Sequence, residues 1–292
     1  MHSRSSSDSD SDAEVARVLS EALPYLQRYD GKIVVIKLGG EVIKRGCASI
    51  KGIAREIVLM KQCNVHPVVV HGGGAQIDAV LERYGIIPCF KDGLRVTDQA
   101  TIDVVEMVLC GSVNKGLVAE INEHGGKGVG LCGKDGMLMQ AKVSDSALGF
   151  VGNPASVNPE LIISLVKSGF TPVIAPIASD INGQTCNINA DTAAGAIAIA
   201  VGAERLLMMT NVEGVYDENG QVLSHITPEK SKKFIQKGVV RGGMIPKILT
   251  AFDIMESTKV GGVVILNGLR NHAITLELFT KYGAGTLISF AD

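Results

Sequence analysis

Two apolar runs near the start of the chain each end in glycines, and this pairing restricts the available folds more than any other feature. Residues 32–36 lead into Lys37-Leu38-Gly39-Gly40, and residues 67–70 lead into His71-Gly72-Gly73-Gly74. Short continuous apolar runs bounded by glycine read as strands buried on both faces, and each opens toward a helical pattern. Glycine has no Cβ, so the backbone N–H groups of such a turn can close on an anion. The chain reads as a phosphate holder: Lys37 ends the first strand, and two cradles are placed to pass phosphate between them.

From residue 32 onward the pattern alternates. Strands are predicted over 32–38, 67–71, 172–176, 184–188, 205–210, 262–266 and 286–290. Helices are predicted over 49–62, 75–84, 98–109, 112–123, 158–168, 190–201, 228–236, 245–258 and 272–281. Residues 125–152 read as a glycine-rich antiparallel excursion. The order implies an α/β fold, an open, mainly parallel sheet sandwiched by helices, with ligands beyond the carboxyl ends of the strands. Upstream, Ser11-Asp12-Ala13-Glu14 fits a capping box, which predicts a helix over 13–29. Val15, Leu19, Ala22, Leu26 and Tyr29 share one face of it, and Pro24 is expected to kink it. That helix either packs on its own domain or swaps onto a neighbouring subunit. Residues 1–12, rich in Ser and Asp, are expected to be a disordered leader.

Composition removes several function classes. A net charge of −2, 4% aromatic residues and no Trp give no electrostatic or stacking basis for nucleic-acid binding. No apolar run reaches the ~18 residues of a membrane span, so no membrane partner is expected. The six cysteines show no CxxC spacing and read as free thiols in a reducing compartment, and the histidines form no ligand cluster with them, so no metal site is expected. Gly128-Val129-Gly130-Leu131-Cys132-Gly133 fits GxGxxG, but without a preceding core strand or a following helix it is not a dinucleotide fingerprint. Asp135 stands where a phosphate-binding P-loop needs Ser or Thr, and the HGGG run lacks the GxSxG elbow of a hydrolase.

Three further constellations bear on chemistry. Arg95, in Gly93-Leu94-Arg95-Val96-Thr97, is either structural or a bidentate clamp for a carboxylate. Asn187-Ile188-Asn189-Ala190-Asp191 joins a strand to a helix, and holds more polarity than helix capping needs. Gly242-Gly243-Met244-Ile245-Pro246-Lys247 opens a helix, where a cation opposes the helix dipole unless an anion is bound.

Taken in order, these five motifs resemble the set carried by the N-acetyl-L-glutamate kinases, arginine-sensitive type, a branch of the amino-acid kinase family. Glu106-Met107-Val108-Leu109-Cys110-Gly111-Ser112-Val113-Asn114-Lys115 adds to the resemblance, which spans roughly residues 30–290. It implies an amino-acid kinase fold of two lobes, a substrate-binding lobe over 30–194 and an ATP-binding lobe over 195–292, with 13–29 as an oligomerisation helix. It implies transfer of phosphoryl from ATP, carried with Mg2+, to the side-chain carboxylate of N-acetyl-L-glutamate. Lys37 and Lys247 would flank the transferring group, with Asp191 organising them. Gly39 and Gly40 would bind phosphate, Gly73 and Gly74 the seam between phosphoryl and carboxylate, and Arg95 and Asn187 the substrate. Arginine would inhibit at Tyr25, Glu277 and Gly283 in a hexamer built as a trimer of dimers. Plant, algal and cyanobacterial members also bind the PII signalling protein, and the Ser/Asp-rich leader is read as that of a processed plastid (chloroplast stroma) protein, with bacterial cytoplasm as the alternative. The chain departs from the family pattern at Ala75, Cys132 and Asn153-Pro154. The rivals are a kinase of aspartate, glutamate, carbamate or UMP, a non-catalytic ligand sensor on the same fold, and a nicotinamide-dependent oxidoreductase.

Overall fold

The computed structural model describes residues 6–43, 48–91, 93–242, 244–257 and 259–290; of 6–12 and 48 only the backbone is described. In chain order the elements are α1 (Ser6–Tyr29), β1 (Ile33–Leu38), α2 (Ala48–Gln62), β2 (His66–His71), α3 (Gly74–Arg83), β3 (Phe90–Lys91), β4 (Leu94–Arg95), α4 (Gln99–Glu106), α5 (Asn114–Glu123), β5 (Gly128–Cys132), β6 (Met139–Val143) and β7 (Val151–Val157). They continue with α6 (Glu160–Lys167), β8 (Thr171–Ala175), β9 (Ile177–Ser179), β10 (Thr185–Ile188), α7 (Ala190–Val201), β11 (Arg205–Thr210), β12 (His225–Ile226), α8 (Pro228–Gln236), α9 (Met244–Glu256), β13 (Val263–Asn267), α10 (Ala273–Phe279) and β14 (Thr286–Ile288).

Eight strands form one sheet in the order β12-β14-β13-β11-β1-β2-β8-β5, parallel throughout except for the β13–β14 pair. β6, β7, β9 and β10 close into a small barrel beside it. Side chains alternate across a strand, so each central strand feeds two cores. Val34, Ile36 and Leu38 face the cluster with α2, α3, α5 and α10; Val35 faces the other, with α6, α7 and α9. The same parity sends Lys37 to the α7 side, and β1 thus delivers an ammonium group instead of another valine at the sheet's carboxyl edge.

The α7 helix lies close because its inner face is small. Ala193, Ala194, Gly195 and Ala198 are buried or nearly so, and a Cβ on Gly195 would sit 2.6 Å from Ile254 Cδ1 of α9. Asn189 starts α7, its side chain accepting from Asp191 N and Thr192 N; Gly202 stops it in the left-handed conformation.

Three local expectations change. Helix α1 begins at Ser6 rather than at the capping box, so within the predicted disordered leader, 1–12, residues 6–12 are helical and 1–5 lie outside the described residues. Acidic residues in an opening turn suit the positive end of the helix dipole, which extends the helix backward. It also runs through Pro24, which has no N–H to offer the Ser20 carbonyl. Gly128–Cys132 is an edge strand of the main sheet, not part of an antiparallel excursion. Its glycines serve close packing: a Cβ on Gly130 would overlap Asn114 Oδ1 and Lys115 Nζ. Finally, 99–123 is one helical run in which Met107–Val113 adopts the wider π form, a local expansion that recurs at functional sites. Cys63, Cys89, Cys110, Cys132 and Cys186 are free thiols; Cys47 lies outside the described residues. Among the described residues no helix is long and apolar enough to cross a membrane.

Candidate active site

The carboxyl ends of β1 and β2 place the two glycine turns face to face. Gly72 N donates to Leu38 O at 2.9 Å, and a Cβ on Gly40 would stand 3.0 Å from Gly74 N. Any side chain at 40 would plug the gap between the cradles. Gln76, in the first turn of α3, donates to Gly40 O at 3.2 Å and ties the first turn to the second.

Three charged residues from distant parts of the chain meet at this edge. Lys37 Nζ lies 2.8 Å from Asp191 Oδ1, and Lys247 Nζ donates to Asp191 Oδ2 at 2.6 Å. Lys247 stands in the first turn of α9, which packs on α7; Gly243 of its motif lies outside the described residues. Burial pulls the Lys37 ammonium below its ordinary range, and Asp191 only partly restores it. Burial also opposes the charge on Asp191, yet the two ammonium groups outweigh it and hold the carboxyl below its usual value. The cluster keeps one positive charge in excess, so it is prepared for an incoming anion.

Next to it lies a cleft of about 190 Å3, lined by Gly72, Gly73, Gly74, Arg95, Asn187 and Asn189 among others. Arg95 is only 8% exposed. Its Nη1 donates to Asp78 Oδ1 at 2.6 Å, its Nη2 approaches Gly74 O at 3.4 Å, and its guanidinium lies 4.7 Å over the Phe90 ring. Both readings of Arg95 therefore have a basis: it is braced by Asp78 and Phe90, and it lines the cleft. Asn187 reaches the cleft from β10, its amide donating to Thr97 Oγ1 at 3.4 Å. The segment around Gly149 is pinned here as well, with Phe150 N bonded to Thr97 O and Asn187 N to Phe150 O.

One supporting network escaped the sequence reading. His71 is fully buried, and burial pushes its imidazole down to about 4, so it is neutral. Nδ1–H donates to Gly72 O at 2.9 Å, which leaves Nε2 to accept from Asn114 Nδ2 at 3.1 Å. Asn114 also donates to Val173 O at 2.8 Å. The histidine thus fixes the carbonyl from which the second cradle begins, and the π turn delivers Asn114 to it. A histidine at the end of a buried strand, before glycines, was the available signal; its partner 43 positions away was not.

A second polar pocket, of about 230 Å3, lies where the end of α1 meets α10 and the chain leading to β14. It contains Tyr25, Glu277 and Gly283, so these three residues also come together. Glu277 Oε2 accepts from Ala284 N at 2.7 Å and Gly285 N at 3.1 Å. Burial nevertheless raises its pKa, which those bonds and Arg205 only partly oppose. Gly283 has φ +67°, and a Cβ there would lie 2.7 Å from Glu277 Oε2.

Comparison with known proteins shows the family. The sequence profile of the amino acid kinase family matches residues 32–267. The acetylglutamate kinase of Parvibaculum lavamentivorans is 50% identical, over 96% of this chain and 95% of its own. N-acetylglutamate synthase from Neisseria gonorrhoeae, solved with coenzyme A and N-acetylglutamate, superimposes with a TM-score of 0.85 at 23% identity, over 95% of this chain and 64% of that enzyme. The same enzyme with coenzyme A and L-arginine gives 0.81 at 21% identity, over 94% of this chain and 65% of that one. At that identity these two establish the fold alone. Parallel sheet, facing glycine turns and full-length similarity agree: the chain belongs to the amino acid kinase family, in its acetylglutamate kinase branch, phosphotransferases that act on a carboxyl group.

Proposed function

We propose that the chain transfers the γ-phosphoryl group of ATP to the side-chain carboxylate of N-acetyl-L-glutamate, a step of arginine biosynthesis, and that arginine inhibits it. The observation that carries this reading is the Lys37–Asp191–Lys247 cluster beside a cleft holding Arg95 and Asn187. A substrate carboxylate oxygen forms the new P–O bond; the bond from the γ-phosphorus to the bridging oxygen breaks, and its electron pair leaves with ADP. The nucleophile is already ionised, so no general base is required. The difficulty is bringing two anions together, and catalysis is mainly positioning and charge neutralisation. Lys37 and Lys247 supply that charge, and N–H groups of Gly40, Gly73 and Gly74 hold oxygens, with Gly39 beside Lys37 in the same turn. Asp191 spaces the two ammonium groups and takes no proton, since its carboxyl is held low. Arg95 takes the α-carboxylate and Asn187 the substrate backbone. Residues 30–194 form the substrate half and 195–292 the nucleotide half. Among the described residues no cluster could cage a metal, and Asp191 is occupied by two lysines. A protein-held Mg2+ does not fit the described residues; the ion belongs with the phosphates of ATP.

Arginine has a fitting pocket. Glu277 is a buried carboxylate with raised pKa, which a guanidinium would match, and Tyr25 from α1 closes the pocket. Helix α1 divides along its length. Tyr25, Leu26 and Tyr29 pack on the core, while Val15, Val18, Leu19 and Leu23 are exposed. An apolar stripe open to water calls for a partner, and pairing with the same helix of another copy would build the hexamer as a trimer of dimers. The Parvibaculum relative is bacterial, which supports bacterial cytoplasm over plastid.

The test is acyl-phosphate capture. Incubation with MgATP and N-acetylglutamate, then hydroxylamine, should give hydroxamate. Aspartate, glutamate and carbamate should leave the signal at background. No signal with any acid would instead favour a ligand sensor built on this fold.

A further inference from the structure

A larger cavity, about 610 Å3, lies away from both sites. Helix α2 forms one wall, with Ser49, Lys51, Gly52, Arg55 and Leu59, and the loop between β13 and α10 forms the other, with Arg270, Asn271 and His272. None of these residues lines the catalytic cleft or the pocket under α1.

The charge of this cavity is one-sided. Lys51, Arg55 and Arg270 make no ion pair among the described residues and are exposed to the cavity's solvent. Lys51 and Arg55 stand four positions apart on one helix face, a spacing at which like charges repel by a few tenths of a kcal/mol. The single carboxylate lining the cavity among the described residues, Glu56, turns to its neighbours instead. It is 5% exposed, and its Oε2 accepts Thr275 N at 2.8 Å and Thr275 Oγ1 at 3.2 Å. Burial also raises its pKa, which weakens its claim on the surrounding cations. His272 faces the cavity from a left-handed backbone, φ 61°, a conformation that non-glycine residues seldom hold. In a chain whose net charge is −2, three cations with no ion pair among the described residues form a local positive field around one concavity.

We propose that this cavity binds a small organic polyanion, one bearing two or more phosphate or carboxylate groups, held between Lys51 and Arg55 on one side and Arg270 on the other. One anionic group does not match three cations spread over two walls; two groups do, and guanidinium forks suit both phosphate and carboxylate. The ligand joins α2, which follows the first glycine turn, to the loop leaving β13, and so couples an early and a late part of the chain. The site is independent of the catalytic reading: neither needs the other to be right.

The experiment is calorimetric titration of the full chain with inorganic pyrophosphate and, separately, citrate. Three proteins are compared: wild type, Arg55→Ser/Arg270→Ser, and Lys37→Ser/Lys247→Ser. Wild type should bind at least one probe with a Kd below ~10 mM. The arginine variant should lose about tenfold or more in affinity, because each removed fork takes charge-assisted hydrogen bonds with it. The lysine variant removes the charge of the catalytic cluster, and the binding that persists in it should stay within about twofold of wild type at the cavity, since no cavity residue is altered. Pyrophosphate alone would mark the ligand as phosphate-bearing, and citrate alone as a polycarboxylate. Absence of heat from wild type, unchanged affinity in the arginine variant, or loss of binding in the lysine variant would each overturn the proposal. Should the double variant fail to fold, Arg270→Ser, a change on an exposed loop, repeats the test with about a tenfold loss expected.

Discussion

The catalytic cleft and the pocket under α1 hold their buried carboxylates in opposite surroundings. At the cleft one carboxylate, Asp191, serves two ammonium groups, and positive charge is left over. Under α1 one carboxylate, Glu277, is buried against backbone N–H groups, in a pocket that Arg28, Arg205 and Lys281 also line. The first arrangement is set to receive an anion; in the second, burial of the carboxylate outweighs its backbone donors and Arg205. The contrast shows in protonation: neighbouring charge drives the Asp191 carboxyl down, whereas burial drives the Glu277 carboxyl up. Each site holds the half of an ion pair that its proposed ligand lacks.

The largest expected effect tests the cleft side of this contrast. Lys37→Ala or Lys247→Ala should lower kcat by ~10²–10³-fold, the range for loss of one transition-state donor. Turnover assays with N-acetylglutamate measure this, and near-normal kcat in either variant would break the cleft half of the comparison. On the pocket side, Glu277→Gln should weaken arginine inhibition by ~10–100-fold, the loss of a charged hydrogen-bonded partner, while kcat stays within about twofold. Deleting residues 1–29 removes Tyr25 and should abolish inhibition and leave a dimer on size-exclusion chromatography; an inhibited hexamer would show that α1 does neither job. Arg95→Lys should raise the KM for N-acetylglutamate by ~10-fold with a smaller change in kcat, since a lysine lacks the fork.

The smallest effects concern support and pH. His71→Asn can place an amide N–H where Nδ1 donates to Gly72 O, whereas His71→Gln places its amide nearer the position of Nε2. If His71 positions the cradle, kcat falls several-fold in His71→Gln and is largely kept in His71→Asn. A purely structural histidine would lower the melting temperature in both and leave kcat alone. For stability the two carboxylates have opposite signs. The folded pKa of Asp191 is depressed, so its contribution is complete above the unfolded value of ~3.9 and is lost as pH falls through the folded value. The folded pKa of Glu277 is raised, so its penalty is absent below the unfolded value of ~4.3 and grows as pH rises through the folded value. Glu277→Gln should therefore raise the melting temperature at neutral pH, and the gain should shrink toward pH ~4.

Local pattern made much of the molecule legible. Apolar runs of strand length ending in glycine located β1 and β2, and the helical periods located α7, α8 and α9 within a few residues. Lys37, Asp191 and Lys247 stood out as charges at strand or helix ends. What sequence alone does not contain is how they combine. The ion pairs join positions 37, 191 and 247, and only the parity of β1 and the close approach of α7 bring them together. The β5 strand was hidden because its glycines lower strand propensity; Gly130 admits Asn114 and Lys115, and Gly128 lies against Val118 and Asn122. The His71–Asn114 pair depends on a π turn, and no residue pattern in 107–113 distinguishes that from an ordinary helix. Arg95 lay between two readings because both rest on one guanidinium, which Asp78 braces and the cleft exposes.

The most direct test of the central claim, that Lys37 and Lys247 act as one unit on the transferring phosphoryl group, is a double-variant cycle on kcat for hydroxamate-trapped acyl phosphate. Lys37→Ala, Lys247→Ala and the double variant are compared with wild type under saturating MgATP and N-acetylglutamate. The account predicts that the double variant is little slower than either single one, as for groups that stabilise the same transition state together. Fully additive losses, or a double variant that still turns over near the wild-type rate, would contradict it.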